Sequence, residues 1–159
     1  MSFKQRVGRT CVSVLLCSLN VGIGANAGRF NEAFGQAKVD QQVEFITAQE
    51  LKAKLARNEP VTIIDVRSAT GLPATGNKIK GAIYVKLRRL KSRLAFPPLR
   101  DVPRTQEVVT YCACPNDEAS VRAAQVLREA GFTRARALKG GWVVWKNANG
   151  QVEPMVSGM

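Results

Sequence analysis

The stretch VVTYCACPNDEAS, residues 108–120, decides the fold, because a β-branched run ends in two cysteines and passes directly into a helical pattern. Residues 108–111 have the composition of a buried strand. Residues 118–130 are predicted to form a helix, and Gly131 follows them where a glycine commonly ends one. The stretch therefore predicts a strand, a short turn that carries both cysteines, and a helix.

Strands and helices also alternate on either side of this stretch. Thr47 and Glu50 form a capping box, which predicts the start of a helix. Leu87, Leu90 and Leu94 share one face of a further predicted helix. The remaining strands are predicted at residues 43–46, 61–66, 81–85 and 136–138, residues 68–77 form a loop, and a last helix covers residues 142–147. We predict an α/β fold with a central parallel five-stranded sheet, helices on both faces and residues 61–66 as a central strand.

Amino-acid composition restricts the possible functions of the chain more than it restricts its possible folds. Apolar residues make up 45% of the 159 residues and charged residues 23%, which is typical of one globular domain. The chain contains no histidine, so Ser-His-Asp hydrolysis, Cys-His proteolysis and histidine-based zinc sites are excluded for the chain acting alone. We predict neither a metal site nor a cofactor.

The first 27 residues have the pattern of a secretory signal peptide. Lys4, Arg6 and Arg9 precede an apolar run at residues 11–24, and the small residues Ala25 and Ala27 follow it. The alternative is an uncleaved membrane anchor, although the run is short for a spanning helix. We expect a periplasmic or secreted protein with a leader at 1–27, an extension at 28–42, a domain at 43–154 and a tail at 155–159.

The predicted helix at residues 86–94 is strongly basic. Five Lys and Arg residues surround its leucines, and the chain carries 24 Lys plus Arg against 12 Asp plus Glu. A solvated helix face explains this pattern, and so does a surface that binds an anionic partner or a membrane. We predict no nucleic-acid binding, because no recognition motif accompanies the charge.

The two cysteines lie where such folds carry their chemistry. Ligands of parallel sheets bind at the carboxyl ends of the strands, beside the N-terminus of the following helix. A thiolate at Cys112 or Cys114 would be stabilised there, as would a persulfide formed on it. Removal of the leader would leave these as the only two cysteines of the chain.

Between residues 45 and 154 the chain resembles the single-domain rhodanese-like proteins, which are sulfurtransferases that carry sulfur as a cysteine persulfide. No single motif is specific, but six occur in the order typical of the family. They are a capped helix, Asp65-Val66-Arg67 at a strand end, a Gly-Ala-Ile at residues 81–83 preceded by lysines in place of histidine and proline, Tyr111-Cys112, residues 128–132 (REAGF), and Gly140-Gly141-Trp142 with Trp145.

The cysteine loop departs from the family pattern. A usual loop runs Cys, four residues, Arg, Ser, whereas Asp117 stands five residues after Cys112 and Ala119 five after Cys114. The strand ending favours Cys112 as the family's cysteine, while spacing back from Gly131 favours Cys114. We prefer Cys112, because a strand end is a firmer anchor than loop length. The missing arginine also argues against phosphatase chemistry of the Cys-x5-Arg type.

The resemblance implies a sulfurtransferase with Cys112 as nucleophile and Cys114 as the alternative. Its substrates would be a small sulfur-containing anion or persulfide donor and a thiol acceptor. Acidic residues near the sulfur would repel thiosulfate, so we expect poor thiosulfate:cyanide activity. The competing hypothesis is a non-catalytic binding module, or a redox switch formed by the two cysteines. The predicted substrate-binding residues are those whose loop amides would cradle the anion, and Arg67 as an electrostatic support. The loop residues are Ala113, Cys114, Pro115, Asn116, Asp117 and Glu118.

Overall fold

A computed structural model describes residues 42–68 and 76–155 of the chain. The predicted leader, nearly all of the predicted extension, residues 69–75 of the predicted loop and residues 156–159 of the tail lie outside these ranges. The predicted domain limits and the leader therefore stay predictions. Within the described ranges, no helix has both the length and the apolar character that crossing a bilayer requires.

Seven strands and four α-helices follow one another along the described chain. In order they are β1 (Glu44–Ile46), α1 (Ala48–Ala56), β2 (Val61–Asp65), β3 (Asn77–Ile79), β4 (Ile83–Tyr84), a 3-10 turn (Leu87–Arg89), α2 (Leu90–Arg93), a 3-10 turn (Leu99–Asp101), β5 (Glu107–Tyr111), α3 (Glu118–Glu129), β6 (Ala135–Leu138), α4 (Gly141–Asn147) and β7 (Val152–Pro154). The predicted capping box is present, since Thr47 Oγ1 accepts from the Glu50 backbone and Glu50 accepts from Thr47 N–H.

The main sheet confirms the predicted fold class. Its five strands are parallel and lie in the order β1-β6-β5-β2-β4. The prediction of a central strand at residues 61–66 is confirmed, since β2 pairs with β5 on one side and with β4 on the other. The middle strand is β5, whose five residues are all buried, whereas the first two of β2 are only half-buried.

Two apolar layers cover opposite faces of the sheet. Alternate residues of β5 point to different layers, so that Val108 packs with Leu90 and Leu127 while Val109 packs with Leu51 and Trp145. Helices α2 and α3 therefore lie on one face, and α1 and α4 on the other. Helices on both faces are the arrangement that the alternating sequence predicted.

One local prediction is wrong, and one small sheet was not predicted. The single basic helix at residues 86–94 is a 3-10 turn followed by the four-residue α2, because no side chain caps its start. A two-stranded antiparallel sheet of β3 and β7 was not predicted at all. Its strands have three residues each and lie far apart in the sequence. An ion pair between Lys78 and Glu153 (2.6 Å) joins them.

Candidate functional site

The ends of three parallel strands converge at one edge of the sheet. The Val66 N–H donates to Tyr111 O (3.0 Å), so the chain leaves β2 and β5 side by side. The Val85 N–H donates to Asp65 O (2.9 Å), which places the chain after β4 next to them. Cys112 is the first residue after β5. The structure therefore places this cysteine at the carboxyl edge of the sheet, as the sequence predicts.

Cys112 and Cys114 are joined by a disulfide, with their Cα atoms 5.7 Å apart. The two sulfurs differ in environment. Cys112 is 2% exposed and belongs to the apolar layer under α3, whereas Cys114 is half-buried. An external thiolate reaches the sulfur of Cys114 more easily, and its attack there would release Cys112.

Both cysteines line a pocket of about 820 Å³. Clefts of about 300–1,000 Å³ are typical of small-molecule sites. No acidic residue is among the described residues that line it. Its lining residues come from the ends of β2 and β5, from the basic segment (residues 86–94) and from the start of α3. They are Val66, Arg67, Ser68, Lys86, Leu87, Arg88, Cys112, Ala113, Cys114, Ala119 and Arg122.

Three exposed cations surround this pocket. Lys86 and Arg88 belong to the basic segment, residues 86–94, and Arg122 lies in the second turn of α3. None of the three forms an ion pair with a residue in the described ranges. Their charges are therefore not neutralised locally, and they create a positive potential at the pocket that favours anions.

Arg67 also lines the pocket, but its charge is compensated. The guanidinium binds the Asp65 carboxylate through Nε (3.0 Å) and Nη2 (2.6 Å), and Nη2 also donates to Asn77 O (2.8 Å). It lies 4.3 Å from the ring centroid of Trp142. Since both charges are fully desolvated and paired, Arg67 chiefly ties the end of β2 to β3 and α4. Its predicted electrostatic support for a substrate stays a prediction.

Tyr111 completes this buried network. Its hydroxyl donates to Asp65 Oδ2 (2.7 Å) and accepts from the Ile79 N–H (3.2 Å). Burial, followed by the neighbouring Asp65 charge, raises the pKa of Tyr111 far above its ordinary value. The hydroxyl is therefore protonated at every physiological pH and serves as a fixed donor beneath the cysteine loop.

Asp117 occupies the position at which the family loop carries arginine when counted from Cys112. Its backbone is left-handed (φ 55°), a conformation that Asp tolerates better than most residues. Its Oδ2 accepts from the Gly140 N–H (2.7 Å), and its backbone carbonyl accepts from the Ser120 hydroxyl (2.7 Å). The carboxylate thus holds the loop against the Gly140-Gly141-Trp142 turn.

That turn fixes the cysteine loop from the other side. The Trp142 N–H donates to Cys112 O (2.8 Å). Gly141 has a positive φ of 48°, and a Cβ there would collide with the same carbonyl. Glycine is therefore required for this close approach of two backbones. Ser120 Oγ lies 3.7 Å from Cys112 Sγ, so the start of α3 also contacts the sulfur.

The predicted substrate-binding residues divide into two groups. Ala113, Cys114 and Arg67 line the pocket together with Cys112. Asp117 is buried against Gly140, and Pro115, Asn116 and Glu118 are exposed outside the lining. The cradle of amides predicted from residues 113–118, and the choice of nucleophile, stay predictions.

The sequence reasoning missed the pocket role of the three cations. The sequence pattern assigns Lys86 and Arg88 to a basic helix and gives Arg122 no role. The first two follow β4 directly, at the same sheet edge as Cys112. Arg122 is three residues after Ala119, on the same face of α3. Both placements were available in the sequence as signals.

Comparison with known proteins agrees with this architecture. Residues 47–148 match the family described as rhodanese-like domain. The solution structure of the rhodanese-like domain of the Alr3790 protein from Anabaena sp. is similar, with a TM-score of 0.58 and 30% sequence identity, over 69% of this chain and 78% of that chain.

Two curated relatives are sulfurtransferases by name. SseB of Mycobacterium tuberculosis, named as a candidate thiosulfate sulfurtransferase, is 30% identical over 129 residues, which cover 68% of this chain and 45% of SseB. A protein of Allochromatium vinosum named sulfurtransferase is 27% identical over 103 residues, which cover 65% of this chain and 88% of that protein. The chain therefore spans less than half the length of SseB.

Proposed function

Because this chain belongs to the rhodanese-like domain family, we propose that it is a sulfurtransferase that carries sulfane sulfur as a persulfide on Cys112. The observation that carries the proposal is the pocket itself. Both cysteines line it together with three cations that form no ion pair within residues 42–68 and 76–155, and none of its described lining residues is acidic. A site of this kind suits a reactive thiolate and an anionic sulfur donor.

The sulfur-loading step needs the reduced pair. Once an external thiol has opened the disulfide, the Cys112 thiolate attacks the sulfane sulfur of the donor. A new S–S bond forms on Cys112, the donor's own S–S bond breaks, and its electron pair leaves with sulfite or a thiolate. Lys86, Arg88 and Arg122 would hold the anionic donor and stabilise the leaving anion.

Cys112 is favoured over Cys114 because it is the better fixed of the two. It follows β5 directly, its carbonyl accepts from the Trp142 N–H, and its sulfur lies 3.7 Å from Ser120 Oγ. A nucleophile held in one geometry loses less freedom in reaching the transition state. The position of Cys114 nearer to solvent keeps it as the alternative.

Two matched variants test this assignment. The reduced protein is incubated with thiosulfate or with cysteine persulfide, and its intact mass is measured. Cys112→Ser should gain no sulfur, because a hydroxyl cannot replace the polarizable thiolate, whereas Cys114→Ser should gain one sulfur atom. The reverse pattern would assign the nucleophile to Cys114, and failure of both variants would refute the sulfurtransferase.

The disulfide favours a second candidate, a redox switch. While Cys112 and Cys114 are bonded, neither sulfur can attack a donor. Air-exposed protein should therefore be inactive in sulfur transfer and recover its activity with a mild thiol reductant. Alkylation and mass spectrometry count the free thiols. Two free thiols after prolonged oxidation, with unchanged activity, would discard the switch.

The basic segment supports a further element of the proposal, an anionic partner that approaches the pocket. No Asp or Glu occurs between Asp65 and Asp101, and Lys86 and Arg88 belong to both the segment and the pocket. Attraction between exposed charges is screened by salt. The rate of sulfur transfer to a cysteine peptide flanked by glutamates should therefore fall with salt, and a rate that does not depend on salt would contradict the role.

A further inference from the structure

We propose a second activity, which rests on the proposed persulfide carrier: the protein releases the carried sulfur as hydrosulfide, with Cys114 as the resolving thiol. The sulfurtransferase alone passes its sulfur to an external acceptor. In the second activity, the outer sulfur of the Cys112 persulfide accepts the electrons, and Cys114 supplies the attacking thiolate. The substrates are an anionic sulfane-sulfur donor and, for the return to the reduced state, an external dithiol.

The connectivity of the loop is the observation behind this step. In a persulfide on Cys112, the inner sulfur is Cys112 Sγ. The structure bonds that same atom to Cys114 Sγ. The loop therefore accommodates the product that would form if Cys114 attacked the inner sulfur.

The loop holds this product with contacts on both sides. The Trp142 N–H donates to Cys112 O (2.8 Å), and the Asp117 N–H donates to Cys114 O (3.3 Å). The Asp117 carboxylate in turn accepts from the Gly140 N–H. Both cysteine carbonyls are thus fixed by backbone donors while the two sulfurs are joined. An attack between groups held in this way is effectively unimolecular and competes well with an external thiol.

The step balances without a further reactant. Cys114 loses its proton and attacks Cys112 Sγ, so a Cys112–Cys114 bond forms and the bond to the outer sulfur breaks. The outer sulfur leaves with the electron pair, takes up the proton and departs as hydrosulfide. It has been reduced by two electrons, and the two cysteine sulfurs have been oxidised to the disulfide.

The surroundings of the pair suit both halves of this cycle. The leaving hydrosulfide is an anion, and the same pocket is lined by Lys86, Arg88 and Arg122, which form no ion pair with any residue that the structure describes. Cys114 is half-buried and Cys112 is 2% exposed, so a dithiol would attack Cys114 and free Cys112 for the next donor.

A single-turnover experiment tests the proposal. Reduced wild-type protein is freed of small thiols and mixed with thiosulfate or with cysteine persulfide, and hydrosulfide, free thiols and intact mass are measured. No further thiol is added, because external thiols reduce persulfides themselves. Thiosulfate is the decisive donor, since it leaves sulfite, whereas cysteine persulfide leaves the thiol cysteine. We expect one hydrosulfide per protein, loss of both thiols, and the mass of the disulfide form rather than that of a protein with an added sulfur.

The variant Cys114→Ser separates this inference from the sulfurtransferase on which it rests. It should keep the added sulfur and release no hydrosulfide, and Cys114→Ala should behave in the same way. If Cys114→Ser takes up sulfur but the wild type keeps its added sulfur and releases none, the resolving role is refuted and the carrier stands. If neither Cys114 variant takes up sulfur from either donor, the carrier on Cys112 fails, and the inference fails with it.

Discussion

Replacing Gly141 with alanine would place a methyl group against the carbonyl of Cys112. The Cβ of an alanine at this position would also lie 3.1 Å from the carbonyl carbon of Cys112. Both neighbours are backbone atoms, so no side-chain rotation relieves the collision. Since the Trp142 N–H donates to this carbonyl, either the turn or the cysteine loop must move away. The substitution therefore tests whether the position of Cys112 depends on the turn after β6.

The expected effect combines strain with a lost contact. A left-handed backbone costs a non-glycine residue about 1–2 kcal/mol, and loss of the Trp142 hydrogen bond costs about 0.5–1.5 kcal/mol. We expect Gly141→Ala to lower the free energy of unfolding by about 1.5–3.5 kcal/mol. Misplacement of a reacting group by about 1 Å can lower a rate by about 10²-fold, so persulfide formation should slow by up to that factor.

Gly81→Ala is the matched control. Gly81 also has a positive φ, 76°, but a Cβ there meets nothing within 4 Å. Backbone strain alone should lower the free energy of unfolding of this variant by about 1–2 kcal/mol, and its rate of persulfide formation should equal that of the wild type. Urea unfolding of the reduced proteins and single-turnover persulfide formation measure both quantities. Equal stability and equal rates for the two alanine variants would refute the idea that Gly141 positions the cysteine loop.

Three further predictions concern the buried pair, the cation in α3 and export. Asp65→Ala leaves the Arg67 charge buried without its partner, so urea unfolding should show a loss of about 3–5 kcal/mol; a loss below that of Gly81→Ala would contradict the structural role of the pair. Arg122→Gln should raise the KM for thiosulfate by up to about fivefold, because it removes an exposed attraction of about 1 kcal/mol. Arg93→Gln lies outside the pocket lining and should leave this KM unchanged. Equal effects of the two variants would remove Arg122 from the site. From the predicted signal peptide we expect the mature protein to begin at Gly28 by N-terminal sequencing, and a membrane-retained product beginning at Met1 would favour an anchor over the leader.

Much of the architecture could be predicted because its signals are local. The capping box at Thr47, the apolar strand before Cys112 and the glycine after α3 each specify a short piece of backbone. All five strands of the main sheet were predicted, and their alternation with helices implied parallel pairing. The strands β3 (NKI) and β7 (VEP) escaped prediction because each contains a single apolar residue, and their pairing joins distant parts of the chain.

The sequence by itself determined the chemistry available at the site, since a chain with no histidine and two cysteines after one strand has thiol chemistry and little else there. Only the tertiary structure decided how the other side chains are used. Arg67 follows a strand end, and the fold buries it in an ion pair with Asp65, which compensates its charge at the pocket. Asp117 turns to the Gly140 amide, and Arg122 reaches the pocket from α3. Charge compensation depends on which groups meet in space, and neighbours in the fold are distant in the sequence.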